Sequence, residues 1–285
     1  MTCLNCATEF EGKFCPNCAQ RASTQRFTLK HLLTRDFLAD TFNFDRGFLH
    51  TCKAMFYRPG YAIVDYLNGQ RKAYFNFIGF LLILLGIEAI LWEMAVNSPA
   101  QYLVEVLNEQ LSKTNTFGAA ALGIEEVETV LRNQKLLFIP AIPLAAIIPY
   151  FVFRRLKFNF LEHCIIISFL LAMNTLLGIV TVGILGLLPL SFATYKVIYL
   201  PFSFIVLFFD FFVFWQIAKT ANYSTGGRLW RTIIGGYMAI AIIGFTQQLS
   251  MAILTGRRVK MENERISPTE LPVNQPAEET PAPGN

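Results

Sequence analysis

Five stretches of this chain are too apolar, and too long, to be hidden inside one water-exposed globule. Crossing the hydrocarbon layer of a bilayer takes about 20 predominantly apolar residues in a helix. Runs of that kind cover about residues 75–96, 136–153, 161–188, 197–218 and 231–254. Of all 285 residues, 54% are hydrophobic and 15% charged, whereas an ordinary soluble domain carries about 25% charged residues. The expected fold is therefore an all-α integral membrane bundle of about five transmembrane helices, with the lipid bilayer as its first partner. A disordered chain is excluded and a soluble enzyme disfavoured. The net charge of +4 needs no nucleic acid, because the basic loops of a membrane protein account for it.

Ahead of these runs stands a different kind of constraint. Cys3, Cys6, Cys15 and Cys18 form two C-x2-C knuckles eight residues apart. That spacing lets four thiolates converge on one ion, and it suits a zinc ribbon over residues 1–22. So short a segment buries no core of its own. Bound Zn2+ supplies its folding free energy instead, about 10–16 kcal/mol in zinc peptides. Two disulfides or a redox pair are the alternatives, but no secretory segment precedes Cys3 and the cytosol is reducing. Four sulfur ligands leave no open position for a catalytic water, so the metal is structural. Phe10 and Phe14 are expected to pack beside it. Ala7 and Ala19 stand where such knuckles usually carry glycine, which implies local strain. Cys52 and Cys164 stand alone and read as small buried hydrophobes.

Residues 27–73 mix apolar positions at helical spacing (Leu29, Leu32, Leu33, Phe37) with charges. They suggest amphipathic helices lying in the membrane interface, with a soluble helical cap over the bundle as the alternative. Pro140, Pro143 and Pro149 predict a bent second span. Residues 97–134 hold two amphipathic helical patterns, and the proline-rich stretch 259–285 reads as a disordered tail.

A cytosolic ribbon places the amino terminus inside. Arg58, Arg71, Lys72, Arg154, Arg155, Lys157, Lys219, Arg228 and Arg231 then face the cytosol, against Lys113, Arg132, Lys135 and Lys196 outside. This agrees with the positive-inside rule. Five spans also put Arg257, Arg258, Lys260 and Arg265 outside, which nearly levels the count. A sixth span hidden within 161–218, broken near Pro189 and Pro201, would relieve the conflict.

Polar residues inside spans are costly and point to function by default. Glu88, Asn174 and Asp210 are the deep candidates. Glu162 and His163 follow the basic Arg154–Lys157 loop at the water interface, where an ion pair or a lipid headgroup contact is cheap. No nucleophile elbow, zincin helix, phosphate loop or dinucleotide fingerprint occurs.

The ribbon is followed by Phe44-Asp45-Arg46-Gly47, Tyr57-Arg58-Pro59-Gly60, Gly69-Gln70-Arg71-Lys72-Ala73-Tyr74-Phe75 and Asn159-Phe160-Leu161-Glu162-His163. This ordered set resembles a bacterial membrane family known only as domain of unknown function 3667, over about residues 1–255. The departures are the two alanines and Gln70, where lysine is usual. The resemblance implies no established reaction, so no catalytic residue carries over. Arg58-Pro59-Gly60 reads as a turn. Arg71 and Lys72 fall at phosphate depth, as anchors or as a headgroup site.

The functional expectation is a non-enzymatic adaptor or assembly factor of the bacterial cytoplasmic (inner) membrane, its ribbon docking a cytosolic protein. The alternatives are a transporter or lipid-handling protein using Asp210, Glu88 or the Glu162–His163 pair, and a membrane enzyme built on that pair.

Overall fold

The computed structural model describes residues 1–24, 26–32, 47–95, 101, 104–105, 139–188, 190–237, 241 and 244–245. Most of the 97–134 segment, the end of the fifth expected span and the 259–285 tail lie outside the described residues.

The two knuckles come first. Each closes on itself through backbone bonds, Ala7 N to Cys3 O and Ala19 N to Cys15 O, both 2.9 Å. Single antiparallel bridges pair Thr2 with Glu9 and Phe14 with Arg21. Phe10 is buried beside the cysteines, as expected. Phe14 is not: it is 55% exposed, with the Arg21 guanidinium 6.0 Å from its ring.

The rest of the described chain is helical. Helix α1 runs Gly47–Tyr57, α2 Pro59–Leu67, α3 Phe77–Met94, α4 Ile139–Val152, α5 Phe160–Thr181, α6 Phe192–Thr220 and α7 residues 225–237. Proline at the first position of α2 lacks the N–H that a helix start leaves unbonded anyway. Asn76 caps α3 by accepting from Ile78 N at 2.9 Å, and Ser191 caps α6 through Thr194 N. The glycines near the end of the third run do not break it: α5 loosens into a π turn at Val182–Gly186.

Helices α3 and α5 are both long and apolar enough to cross a membrane. Helix α4 is shorter, roughly 21 Å at 1.5 Å per residue, and takes up the described part of the second expected span up to Val152. Helix α6 passes through Pro201 without interruption. Among the described residues, the helical path of the 161–218 stretch is interrupted at 187–188 and 190–191 and not at Pro201.

Helix α5 sits at the centre. Phe77 at the start of α3 lies 6.4 Å from Phe169 midway along α5, and Glu88 reaches Gly178 farther along both, so these two helices run parallel. Helix α6 returns antiparallel to α5, bringing Tyr223 just beyond its end to the Arg155 amide that precedes α5. Helix α4 also ends here, Phe153 stacking on Phe214 at 5.7 Å. In α7, Gly235 packs against Phe153 and Gly236 against Phe211 and Phe214. Small residues admit such close approach between helices.

Helices α1 and α2 are packed as a cap on the bundle rather than lying apart from it. Ala54, Met55, Ile63, Tyr66 and Leu67 are buried in the main core. Glycine at position 60 is required: a Cβ there would sit 2.4 Å from Val213 O and 2.5 Å from the Gln216 Cβ. Thr51 ties the cap to α3, its hydroxyl accepting from Phe75 N at 2.8 Å. Many large apolar side chains point outward, among them Ile90, Met94, Val197, Phe204 and Phe208.

Candidate metal centre and the ribbon–bundle junction

The four cysteine sulfurs lie within 4.8 Å of one another, and all four thiols are free. Cys3 and Cys18 are 3.6 Å apart, as are Cys6 and Cys15. A tetrahedral ion with 2.3 Å metal–sulfur bonds sets its ligands about 3.8 Å apart, so the cluster fits such a site. A disulfide would need about 2.05 Å. The anticipated strain is present: Ala7 has φ 59° and Ala19 φ 58°. These left-handed residues turn the knuckle amides back over the sulfurs at a cost of about 1–2 kcal/mol each. The Thr8 hydroxyl, 3.3 Å from Cys6 Sγ, pulls that thiol down to about 6 together with the Thr8 amide. Thiolates, not thiols, are the ligands.

The ribbon does not stand free. Gln20, buried at the end of the second knuckle, donates from Nε2 to Gly69 O at 2.8 Å. Its Oε1 accepts from Arg71 N at 3.2 Å and Lys72 N at 3.3 Å. Asn5 of the first knuckle accepts from Ala73 N at 3.2 Å. Gly69 has φ 108°, and Leu4 packs so tightly on it that a Cβ would lie 2.7 Å from Leu4 Cδ1. One amide side chain from each knuckle thus satisfies the backbone of the loop leading into α3. That loop is the G-x-R-x-x-Y-F segment, whose glycine and exposed backbone the ribbon reads.

The segment after the ribbon makes a second attachment. Arg26 forms a two-pronged ion pair with Glu162, its Nε 3.0 Å from Oε1 and an Nη on Oε2, while the same Nη group donates to Lys157 O at 2.8 Å. Glu162 also caps its own helix. Its Oε2 accepts from Asn159 N at 2.8 Å, and its amide donates to Asn159 Oδ1 at 2.9 Å. This reciprocal capping box explains the Asn-x-x-Glu spacing. Asn159 Nδ2 adds a bond to Phe27 O at 2.9 Å. Glu162 is 0% exposed and His163 1%, so both are covered by protein beside the basic loop they follow. His163 Nδ1 donates to Asn159 O at 3.0 Å, and its Nε2 has no hydrogen-bond partner among the described residues. Its ring lies edge-on to Tyr150 at 5.4 Å.

The remaining anticipated residues separate into two groups. Arg58 pairs with Asp65, which also accepts from the Tyr74 hydroxyl at 3.2 Å. Gln216 of α6 bonds the first amides of α2, Gly60 N at 2.9 Å and Tyr61 N at 3.3 Å. The Arg71 guanidinium stacks 3.7 Å from the ring centre of buried Phe27, and burial draws its pKa down. The Lys72 side chain is exposed. Deeper in the bundle, Glu88 lies against Gly178, one helical turn beyond Asn174, and the Asn174 amide faces the buried Asp210 carboxyl. Asn174 Oδ1 and Asp210 Oδ1 have no hydrogen-bond partner among the described residues.

A cavity of about 320 Å³ lies where ribbon, α2–α3 loop and α5 lead-in meet. Leu4, Arg26, Arg71, Lys157, Phe158 and Glu162 are among its walls. Sequence reasoning found Arg71 and Glu162 but missed Gln20, Asn5, Arg26 and Gln216. Arg26 lies 136 residues from Glu162, and no local pattern marks it.

Residues 45–87 match the model of a family described as a protein of unknown function (DUF3667). No curated protein and no solved structure matches the chain.

Proposed function

We propose that this chain is a multi-pass protein of the bacterial cytoplasmic membrane, amino terminus in the cytosol, whose zinc ribbon is a non-enzymatic docking module for a cytosolic protein. Gln20 carries the reading. Its three bonds to the α2–α3 loop make the ribbon a fixed extension of the bundle, so whatever grips the ribbon is held at one place relative to the membrane. The inward face of the ribbon, with Asn5 and Gln20, is taken by its own chain. Phe14 of the ribbon makes none of these contacts and is 55% exposed, and exposed aromatics are the kind of residue that anchors protein interfaces.

Three observations support the membrane placement. The outward faces of α3 and α6 are apolar. Helices α3 and α5 are of spanning length. The basic residues at 71–72, 154–157, 219 and 228–231 gather at the ribbon end of the bundle, as they do in a cytosolic face. All-sulfur ligation at these distances favours Zn2+. Metal analysis of the purified chain should give one zinc per polypeptide, lost in Cys15→Ser. Copurification from membranes should recover a partner with the wild type but neither with Cys15→Ser nor with Phe14→Ser. The same partners in all three would refute the docking role.

A second reading rests on Asn174 and Asp210, neighbours inside the bundle that each keep one buried oxygen without a hydrogen-bond partner among the described residues. Oxygens so buried call for a proton or a cation. If the chain moves a solute through this point, Asp210→Asn abolishes flux in vesicles while the fold survives.

A further inference from the structure

We infer that the arginine cluster where α4 ends and α7 begins binds the headgroup of an anionic phospholipid. Tyr223, buried in the turn between α6 and α7, fixes the centre of the cluster, its hydroxyl accepting from Arg155 N at 3.1 Å. The Arg155 and Arg231 guanidiniums lie 4.9 and 4.0 Å from the centre of that one ring. Their charges are therefore within about 9 Å of each other, closer than the Debye length of about 10 Å at 0.1 M salt. Arg228 donates from Nε to Tyr223 O at 2.8 Å, and Arg154 precedes Arg155 in the same short turn.

The described protein gathers this charge without neutralising it. Among the described residues the ion pairs join Arg26 to Glu162 and Arg58 to Asp65, and none of these four arginines has a carboxylate partner. Arg231 is oriented by carbonyls, its Nε donating to Val152 O at 3.2 Å and its Nη1 to Gly227 O at 3.0 Å. Such bonds aim a guanidinium but supply no counter-charge. The start of α7 adds the same sign, because a helix N-terminus carries about half a positive charge. Its first turn, Thr225-Gly226-Gly227-Arg228, has no acidic residue to offset it. Cations held this close repel one another, and a shared anion relieves the repulsion. The planar fork of arginine matches the several oxygens of a phosphate.

The neighbours of the arginines select a lipid as the source of that phosphate. Trp215 lies 5.9 Å from the Arg228 guanidinium and Trp230 4.0 Å from that of Arg231, and tryptophan rings settle at headgroup level in a bilayer. Along α4 and α7, away from the charges, Phe151, Ile233 and Ile234 are exposed. A soluble phosphate would leave that surface bare, whereas a lipid lays its acyl chains on it while its phosphate reaches the arginines. A zwitterionic headgroup would bring its own cation against the cluster, so the net negative lipids are favoured. The inference rests on the membrane placement proposed above and not on the docking of a partner.

The test reconstitutes the full chain into phosphatidylcholine vesicles in which a rising fraction is replaced by dibrominated phosphatidylglycerol or, in parallel, by dibrominated phosphatidylcholine. Bromine quenches tryptophan on contact, and Trp215 and Trp230 of the cluster are two of the three tryptophans in the chain. Phosphatidylglycerol should be preferred at least tenfold, since each basic side chain at an anionic surface contributes about a factor of five. Arg155→Gln changes an exposed side chain and keeps the backbone bond to Tyr223; it should lower the preference about fivefold. Lys13→Gln, which removes an exposed cation of the ribbon, should leave it within twofold. Equal quenching by the two lipids would leave the cluster to an acidic protein surface and overturn the inference, as would equal effects of Arg155→Gln and Lys13→Gln. Release of the reconstituted chain by alkaline carbonate would instead remove the membrane placement beneath it, whereas retention with equal quenching removes this inference alone.

Discussion

Replacing Gln20 with alanine should loosen the ribbon from the bundle without unfolding either. The side chain is buried and makes three bonds to backbone: one at 2.8 Å to Gly69 O, and a shared pair at 3.2 and 3.3 Å from Arg71 N and Lys72 N. A neutral hydrogen bond contributes about 0.5–1.5 kcal/mol, and a buried polar group left unsatisfied costs up to about 3 kcal/mol. The short bond falls near the top of that first range. The two longer ones share a single oxygen and together contribute about as much as one. Alanine therefore costs about 2–3 kcal/mol locally. Opening of the loop becomes roughly 30–150 times more frequent, since 1.4 kcal/mol is a factor of ten. Hydrogen exchange followed by mass spectrometry reads this directly. Amides of the 69–73 loop should exchange faster by that factor, while those of α5 stay protected and the metal is retained. Exchange at 69–73 within threefold of the wild type would show that Leu4 and Asn5 alone seat the ribbon, and the fixed-extension argument would fall.

Glycine substitutions should separate two positions that look alike in sequence. Gly60→Ala drives a Cβ into Val213 O and displaces Gln216, costing about 2–4 kcal/mol in thermal unfolding; Gly86→Ala, with open space around it, should cost nothing or stabilise slightly, and equal effects would contradict the packing. Glu162→Ala removes both the capping box and the Arg26 pair. Because the Arg26 side chain is 58% exposed and can turn to water, the loss should be about 2–3 kcal/mol rather than the larger cost of stranding a buried cation, and a loss below about 1 kcal/mol would exclude the double role. Tyr74 is pushed up to about 12, first by burial and then by Asp65. Since the unfolded phenol ionises near 10, the native state is favoured below that pH and loses stability as pH rises from about 10 toward 12. Tyr74→Phe should flatten this alkaline limb in a pH series of unfolding midpoints, and an unchanged limb would assign it to other groups.

What the sequence made legible was local. The cysteine spacing defines the cluster within eighteen residues, and the helix starts are written in Pro59, Asn76 and Ser191. Spans 75–96 and 161–188 correspond to α3 and α5 because a long apolar run has few alternatives to a helix. The partners of the charged motifs were not legible. Glu162 and His163 follow a basic loop and so read as residues at the water interface, where an ion pair or a headgroup contact is cheap. Arg26, far upstream, pairs with Glu162, while His163 is enclosed by Tyr150 and Phe158. Hydropathy also could not separate an interfacial helix from a packed one: α2 is apolar enough for either, and only the absence of a side chain at Gly60 lets it approach the α6 backbone.

The stretch that matches the family model, residues 45–87, contains one half of several of the contacts at the junction, whereas both halves of the Arg26–Glu162 and Asn159–Phe27 attachments lie outside it. Gly60 lies within it, and its acceptor Gln216 lies outside. Gly69 and the Arg71 and Lys72 amides lie within, and Gln20 lies outside. Arg71 lies within, and the Phe27 ring beneath it lies outside. At Gly60 and Gly69 the matched stretch leaves no room for a side chain, while the surrounding elements supply side chains that other residues can replace if the hydrogen-bonding is kept. A relative that changes Gln20 or Gln216 should therefore carry another acceptor there, whereas a side chain at position 60 requires α2 and α6 to move apart. The segment recognisable in sequence is thus the docking platform of the molecule, and what docks on it, ribbon included, is free to vary.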